Sequence, residues 1–151
     1  MAEQPSFTVG PLSSAIFRVA RLHKALAAQR LRETGLRPGQ ELVLMTLWQQ
    51  GPQRQVDLVQ ALDSDAATMV RSIARLEKAG LVRRTRSPDD RRAMIVEATE
   101  ASLSLRDKVE AAWVELERVT AGSLPPQRRA QALDLLADLE ENLAGGAARG
   151  R

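Results

Sequence analysis

The stretch from Leu81 to Thr99 constrains this chain more than any other, because two short apolar runs enclose a loop crowded with arginines and aspartates. Arg83, Arg84 and Arg86 lead into Ser87-Pro88-Asp89-Asp90, Arg91 and Arg92 follow, and Met94-Ile95-Val96-Glu97-Ala98 alternates as a strand does. Proline holds its φ near about −65° and aspartates readily enter turns, so the pattern reads as a β-hairpin with a cationic tip. Ahead of it runs Arg75-Leu76-Glu77-Lys78-Ala79-Gly80, with glycine where a left-handed cap ends a helix.

A helix, a glycine stop and an arginine-rich hairpin form, in that order, a winged helix-turn-helix, a device for holding DNA. The charge distribution agrees. Residues 71–92 carry eight Lys/Arg against three Asp/Glu, whereas residues 93–148 carry five against ten, an asymmetry hidden beneath a net charge of +3. A basic patch of that density can neutralise phosphates and release counterions; the acidic remainder gains nothing from DNA. The 151 residues and 44% apolar content suit one compact protomer with a core. No run of 18 apolar residues and no charged-then-apolar leader occurs, so the cytoplasm is the expected compartment and no membrane partner is expected. An enzyme would need a nucleophile–base pair, a metal set or a phosphate-cradling glycine loop. One His, no Cys, no Tyr and scattered glycines suggest none of these.

The periodicity predicts a mainly α fold, with six helices and one hairpin. Leu12, Ala15, Ile16, Val19, Leu22, His23 and Leu26 mark a first helix running to about Arg32, after a loose arm over residues 1–10. Gly35 ends it, Pro38 suits the first turn of a second helix reaching Gln50, and Arg37 leaves that helix without an ordinary N-cap. Gln55 to Leu62 forms a short third helix. The fourth, Asp65 to Ala79, is capped by Ser64, buries Met69, Val70, Ile73 and Leu76, and turns Thr68, Ser72 and Arg75 outward with Arg71 toward one flank. This is the expected recognition helix. Glu100 to Ala121 and Gln127 to Leu143 complete the helices, and their apolar stripes, with that of the first helix, exceed what one small lobe covers. The expected organisation is therefore an N-terminal arm and dimerisation helix over 1–34, a winged helix-turn-helix lobe over 35–99, dimerisation helices over 100–144 and a disordered tail over 145–151.

Three phrases in the right order carry a family resemblance: Gly35-Leu36-Arg37-Pro38-Gly39-Gln40, then Arg75-Leu76-Glu77 with Gly80-Leu81-Val82, then Asp90 and Arg92 followed by a strand through Thr99. The chain resembles the MarR family of bacterial transcriptional regulators from about Leu12 to Leu143. The resemblance implies a homodimer with interlocked terminal helices, acting on double-stranded DNA as a repressor. Two recognition helices entering successive major grooves about 34–36 Å apart would require a pseudo-palindromic operator.

The candidate DNA contacts are Ser64, Thr68, Arg71, Ser72 and Arg75 on the helix and Arg84, Arg86, Arg91 and Arg92 on the wing. Arginine can bridge guanine edges, and Ser or Thr more often fixes register on phosphate. By the resemblance Arg92 takes the place of the minor-groove arginine, while Asp90 orients an arginine or the turn. The absence of cysteine excludes thiol-based sensing, the lone His23 cannot assemble a zinc site, and no cofactor is expected. The family's usual effector, a small aromatic acid or phenol, would meet His23, Met45, Trp48 and Trp113. A helical adaptor that does not bind DNA is the alternative, and it predicts a dispensable wing.

Overall fold

The computed structural model describes residues 7–62 and 65–150. Their contacts divide into two compact units, Met1–Leu116 and Glu117–Arg151. Six α-helices, two single-turn 3-10 helices (Arg32–Thr34 and Glu100–Ser102) and three short strands are present among the described residues: α1 (Pro11–Arg30), α2 (Gln40–Gln50), β1 (Gln53–Arg54), α3 (Gln55–Leu62), α4 (Ala66–Lys78), β2 (Val82–Arg86), β3 (Met94–Ala98), α5 (Leu103–Ala121) and α6 (Pro126–Arg149). The mainly helical fold with a small antiparallel wing is as expected, but the wing has three strands instead of two, in the order β1-β3-β2. β1 is two residues long and pairs Gln53 with Val96 and Arg54 with Ile95.

In the first unit, α2, α3, α4 and the sheet close around Val43, Leu44, Leu47, Leu58, Met69, Ile73, Leu76, Val82 and Val96. At 3.6 residues per turn, Met69, Ile73 and Leu76 fall on one stripe of α4, which presses that face into the core and leaves the opposite face free. Val70 is a correction: it is 38% exposed, because it lies about a quarter-turn from that stripe.

The ends of α4 set its place. Asp65 is the N-cap and accepts the backbone N–H groups of Ala67 at 2.9 Å and Thr68 at 3.4 Å. The predicted cap, Ser64, lies outside the described residues. At the other end Gly80 has φ +78, the Leu81 N–H bonds the Leu76 carbonyl at 2.9 Å and the Gly80 N–H bonds that of Glu77 at 2.9 Å. Those two bonds close the helix with a left-handed glycine, as the sequence predicted, and send the chain straight into β2. Thr99 seals the base of the wing, its hydroxyl donating to the Gly80 carbonyl at 2.6 Å.

α2 begins two residues after Pro38, at Gln40, because Gly39 has φ +95 and interrupts the helical turn. It lacks an N-cap side chain, as expected, and two of its own first residues substitute. The Gln40 Oε1 accepts the Arg37 N–H at 3.0 Å and the Glu41 Oε2 accepts the Gly39 N–H at 2.8 Å.

In the second unit, α6 follows the turn at Gly122 and Leu124, with Pro126 in its first turn. It runs to Arg149, past the expected stop at Leu143 and through the segment expected to be disordered. Two glycines weaken a helix interior by about 1 kcal/mol each, but no proline interrupts the run. Buried residues are absent from α6.

Candidate nucleic-acid interface

The face of α4 opposite Met69, Ile73 and Leu76 presents Ala67, Arg71, Ala74, Arg75 and Lys78. Arg71 stands near its centre, where the sequence had placed it on a flank. Its Nη2 donates to the Thr68 Oγ1 at 3.3 Å, and the Thr68 hydroxyl donates to the Asp65 Oδ2 at 3.0 Å. The Thr68 hydroxyl first, then the backbone N–H groups of Thr68 and Ala67, and last the nearby Arg71 charge hold the Asp65 carboxyl below the usual aspartate range. Arg75 is exposed and forms no ion pair among the described residues. Lys78 was missed by the sequence reading, although helical phase alone places it three residues beyond Arg75 on this face.

Ser72 departs from expectation. It is half-buried on the flank of α4 and, with Thr68, lines a recess instead of the outward face. Ser64, the remaining helix candidate, is outside the described residues.

The wing arginines fall into two groups. Arg83 pairs across the strands with Glu97 at 2.8 Å. Arg84 is committed to Glu77, which accepts its backbone N–H at 3.0 Å, its Nη2 at 3.0 Å and its Nε at 3.2 Å. Arg84, a candidate DNA contact in the sequence, thus joins wing to helix through Glu77. Arg86 turns its Nη1 onto the Arg91 carbonyl at 2.8 Å, bracing the loop. The side chains of Arg91 and Arg92 carry no ion pair or hydrogen bond among the described residues, and both residues are exposed at the tip. Asp90 shapes that tip: its Oδ1 accepts the Arg92 N–H at 3.0 Å and its carbonyl accepts the Ala93 N–H at 3.0 Å.

A recess of about 360 Å³ lies behind α4, lined by His23 and Lys24 of α1, Glu41 of α2, Thr68 and Ser72 of α4, and Trp113 of α5. It brings together two of the four predicted ligand residues, His23 and Trp113. Met45 and Trp48 do not line it. Trp48 points elsewhere because its indole Nε1 donates to the Ser102 Oγ at 3.0 Å, and it borders a separate recess of about 290 Å³ beside Thr99 and Arg106. The Trp113 Nε1 is shut off from solvent with no acceptor among the described residues. Burial pushes the Glu41 carboxyl up, against the opposing pull of the backbone N–H bonds of Glu41 and Gly39. No group of three or more metal-ligating side chains occurs among the described residues, and no helix there is long and apolar enough to cross a membrane.

The MarR family model matches residues 36–94, the stretch that holds the core, α4 and the wing. A probable transcriptional regulator from Pseudomonas aeruginosa is 30% identical, with 86% of this chain and 97% of that one aligned at a TM-score of 0.77. BpsR of Bordetella bronchiseptica, whose DNA binding is regulated by 6-hydroxynicotinic acid, is 27% identical over 91% of this chain and 98% of its own, at a TM-score of 0.81. A mutant MarR from E. coli in complex with operator DNA is similar in fold, with 21% identity, 91% and 99% coverage and a TM-score of 0.81. With its glycine-capped α4, its arginine-tipped wing and these likenesses along nearly its whole length, the chain belongs to the MarR family of non-enzymatic, DNA-binding transcriptional regulators.

Proposed function

We propose that two copies of this chain bind a pseudo-palindromic operator and repress transcription, and that a small aromatic acid or phenol releases them. The observation that carries the reading is the pair of unengaged arginines at the wing tip, Arg91 and Arg92, on the same lobe as the exposed Arg71, Arg75 and Lys78. Recognition helices reach a major groove while wing arginines enter the flanking minor groove, where narrow A·T-rich tracts concentrate negative potential. Two-fold symmetry of the protein would be mirrored in the operator.

Dimerisation is supported by apolar side chains left uncovered in each unit. Leu12, Val19 and Leu22 of α1 are more than half exposed, as are Leu133, Leu135, Leu136 and Leu143 of α6. Exposed stripes of this size on helices mark interaction surfaces. Release is supported by the recess, whose wall includes Thr68, Met69 and Ser72 of the recognition helix. An occupant touching α4 on one side and His23 and Trp113 on the other would favour one placement of α4 over another, and so shift the population by its differential affinity. BpsR responds to a hydroxylated aromatic acid, the chemical class proposed here.

A salt series tests the DNA reading, with duplex from the chain's own upstream region beside random duplex, and Arg92→Ala beside the wild type. Tight binding of upstream DNA with a steep salt slope, much weakened in Arg92→Ala, is the expected result. If neither duplex binds at low salt, or Arg92→Ala changes nothing, the wing is not a DNA contact and a protein-binding adaptor takes its place.

A further inference from the structure

We infer that Arg71 is the base-reading residue of α4, selecting a guanine in each operator half-site, and that Thr68 is its positioning residue and not a phosphate contact. The inference rests on the DNA-binding reading above and says which side chain carries specificity within it.

Four observations converge on Arg71. It sits near the middle of the face of α4 turned away from Met69, Ile73 and Leu76. Its neighbours on that face are Ala67 one turn before and Ala74 one turn after, neither with an atom beyond Cβ, so the helix axis can approach a groove floor closely at this residue. It also belongs to the N-terminal half of the helix, the part that meets base edges when a recognition helix enters a major groove, whereas Arg75 and Lys78 occupy the last turn.

The fourth observation is a hydrogen-bonded relay. Asp65 accepts the backbone N–H of Ala67 at 2.9 Å with Oδ1 and the Thr68 hydroxyl at 3.0 Å with Oδ2. Because that hydroxyl proton is committed to a carboxylate, the lone pairs of the Thr68 oxygen are left for the Arg71 Nη2 at 3.3 Å. One of five guanidinium N–H donors is used, and the others remain for the two acceptors that guanine presents in the major groove. A flexible cation is thereby held on the helix surface before DNA arrives, which lowers the ordering cost of binding and narrows the bases it accepts.

Selection from a random-sequence duplex library tests this with the full-length protein, using wild type, Arg71→Lys, Thr68→Val and Thr68→Ser. The wild type is expected to enrich a two-fold-related motif with one guanine whose replacement by deazaguanine, which lacks the acceptor nitrogen, weakens binding about tenfold. Arg71→Lys keeps the charge but not the fork, so it loses that preference while its affinity for unrelated duplex changes less than about twofold. Thr68→Val loses discrimination and Thr68→Ser, which retains the hydroxyl, keeps it. An unchanged motif with Arg71→Lys, or equal behaviour of Thr68→Val and Thr68→Ser, overturns the assignment. A wild type that enriches no motif instead overturns the DNA-binding reading itself, and is recognised at the first step.

Discussion

Glu77 in the last turn of α4 grips Arg84 of β2 three times, accepting its backbone N–H at 3.0 Å, its Nη2 at 3.0 Å and its Nε at 3.2 Å. α4 and the wing are therefore joined at their bases by one carboxylate. The side-chain bonds from Arg84, then its backbone N–H, hold the Glu77 carboxyl below the usual glutamate range. Its contribution to stability is present above the unfolded glutamate range and is lost as pH falls through the lowered value. Glu77→Ala is expected to weaken operator binding about threefold to tenfold, through the angle between wing and helix, with little change in the salt slope since no phosphate contact is removed. Fluorescence anisotropy at several salt concentrations reads both quantities, and an unaltered affinity would show that the grip does not orient the wing.

Glu41→Gln should stabilise the protein at neutral pH. Burial raises the Glu41 carboxyl, so the folded chain still holds the proton at a pH where the unfolded chain has released it, and stability falls as pH rises through that interval. Glutamine keeps an oxygen for the Gly39 N–H, 2.8 Å away in the native protein, without carrying a charge into the core. Urea melts across acid to neutral pH are expected to show the advantage of Gln shrinking to nothing below the ordinary glutamate range. A wild type that is the more stable at neutral pH would contradict it.

The phase of α4 is open to a paired test. Ile73 is fully buried and Val70 is 38% exposed. Ile73→Ala should cost about 2–5 kcal/mol, whereas Val70→Ala should remain within about 1 kcal/mol. Chemical denaturation of both variants decides it, and equal losses would place Val70 in the core after all.

The two tryptophans should respond differently to the same substitution. Trp48→Phe takes the indole donor from Ser102, 3.0 Å away, at a cost of about 1 kcal/mol. Trp113→Phe removes an N–H that has no acceptor among the described residues, so the hydrogen-bond part of its cost is absent. Denaturation midpoints compared under one condition would test the contrast, with a larger loss for Trp113→Phe counting against it.

Leu133 and Leu136 are 68% and 59% exposed on α6. Charging both, Leu133→Asp with Leu136→Asp, is expected to convert a dimer to monomers in sedimentation experiments while the helix content of the chain is retained. A dimer that survives unchanged would remove α6 from the proposed interface.

Much of the fold was legible because it is encoded within a few residues of chain. The bounds of α3 follow from a short apolar-rich run, Val56, Leu58, Val59 and Leu62, between the Gly51-Pro52 break and Asp63. The exit from α4 follows from Gly80, a residue able to take φ +78 without strain. The turn of the wing follows from Pro88 and its aspartates. Where reading failed, the missing information lay elsewhere in the chain. β1 has two residues, too few for any alternation to register, and it exists only because Ile95 and Val96 offer it an edge. Val70 was assigned to the core for being apolar, although the spacing of Met69, Ile73 and Leu76 already left it on the flank.

The candidate site shows the same division more sharply. Eight Lys/Arg in residues 71–92 announce a basic surface, and no spacing rule says which of them are free. Arg84 and Arg83 are engaged by Glu77 and Glu97, seven and fourteen residues away, while Arg91 and Arg92 project from a turn that Asp90 holds. Likewise both tryptophans read alike in the chain, and only folding sends Trp48 to Ser102 and Trp113 to the recess with His23. Periodicity, capping and turn chemistry act over one or two helical turns, so a linear chain displays them openly. The partner of a charge or an indole is chosen by which elements pack together, and that depends on distances only the folded molecule possesses.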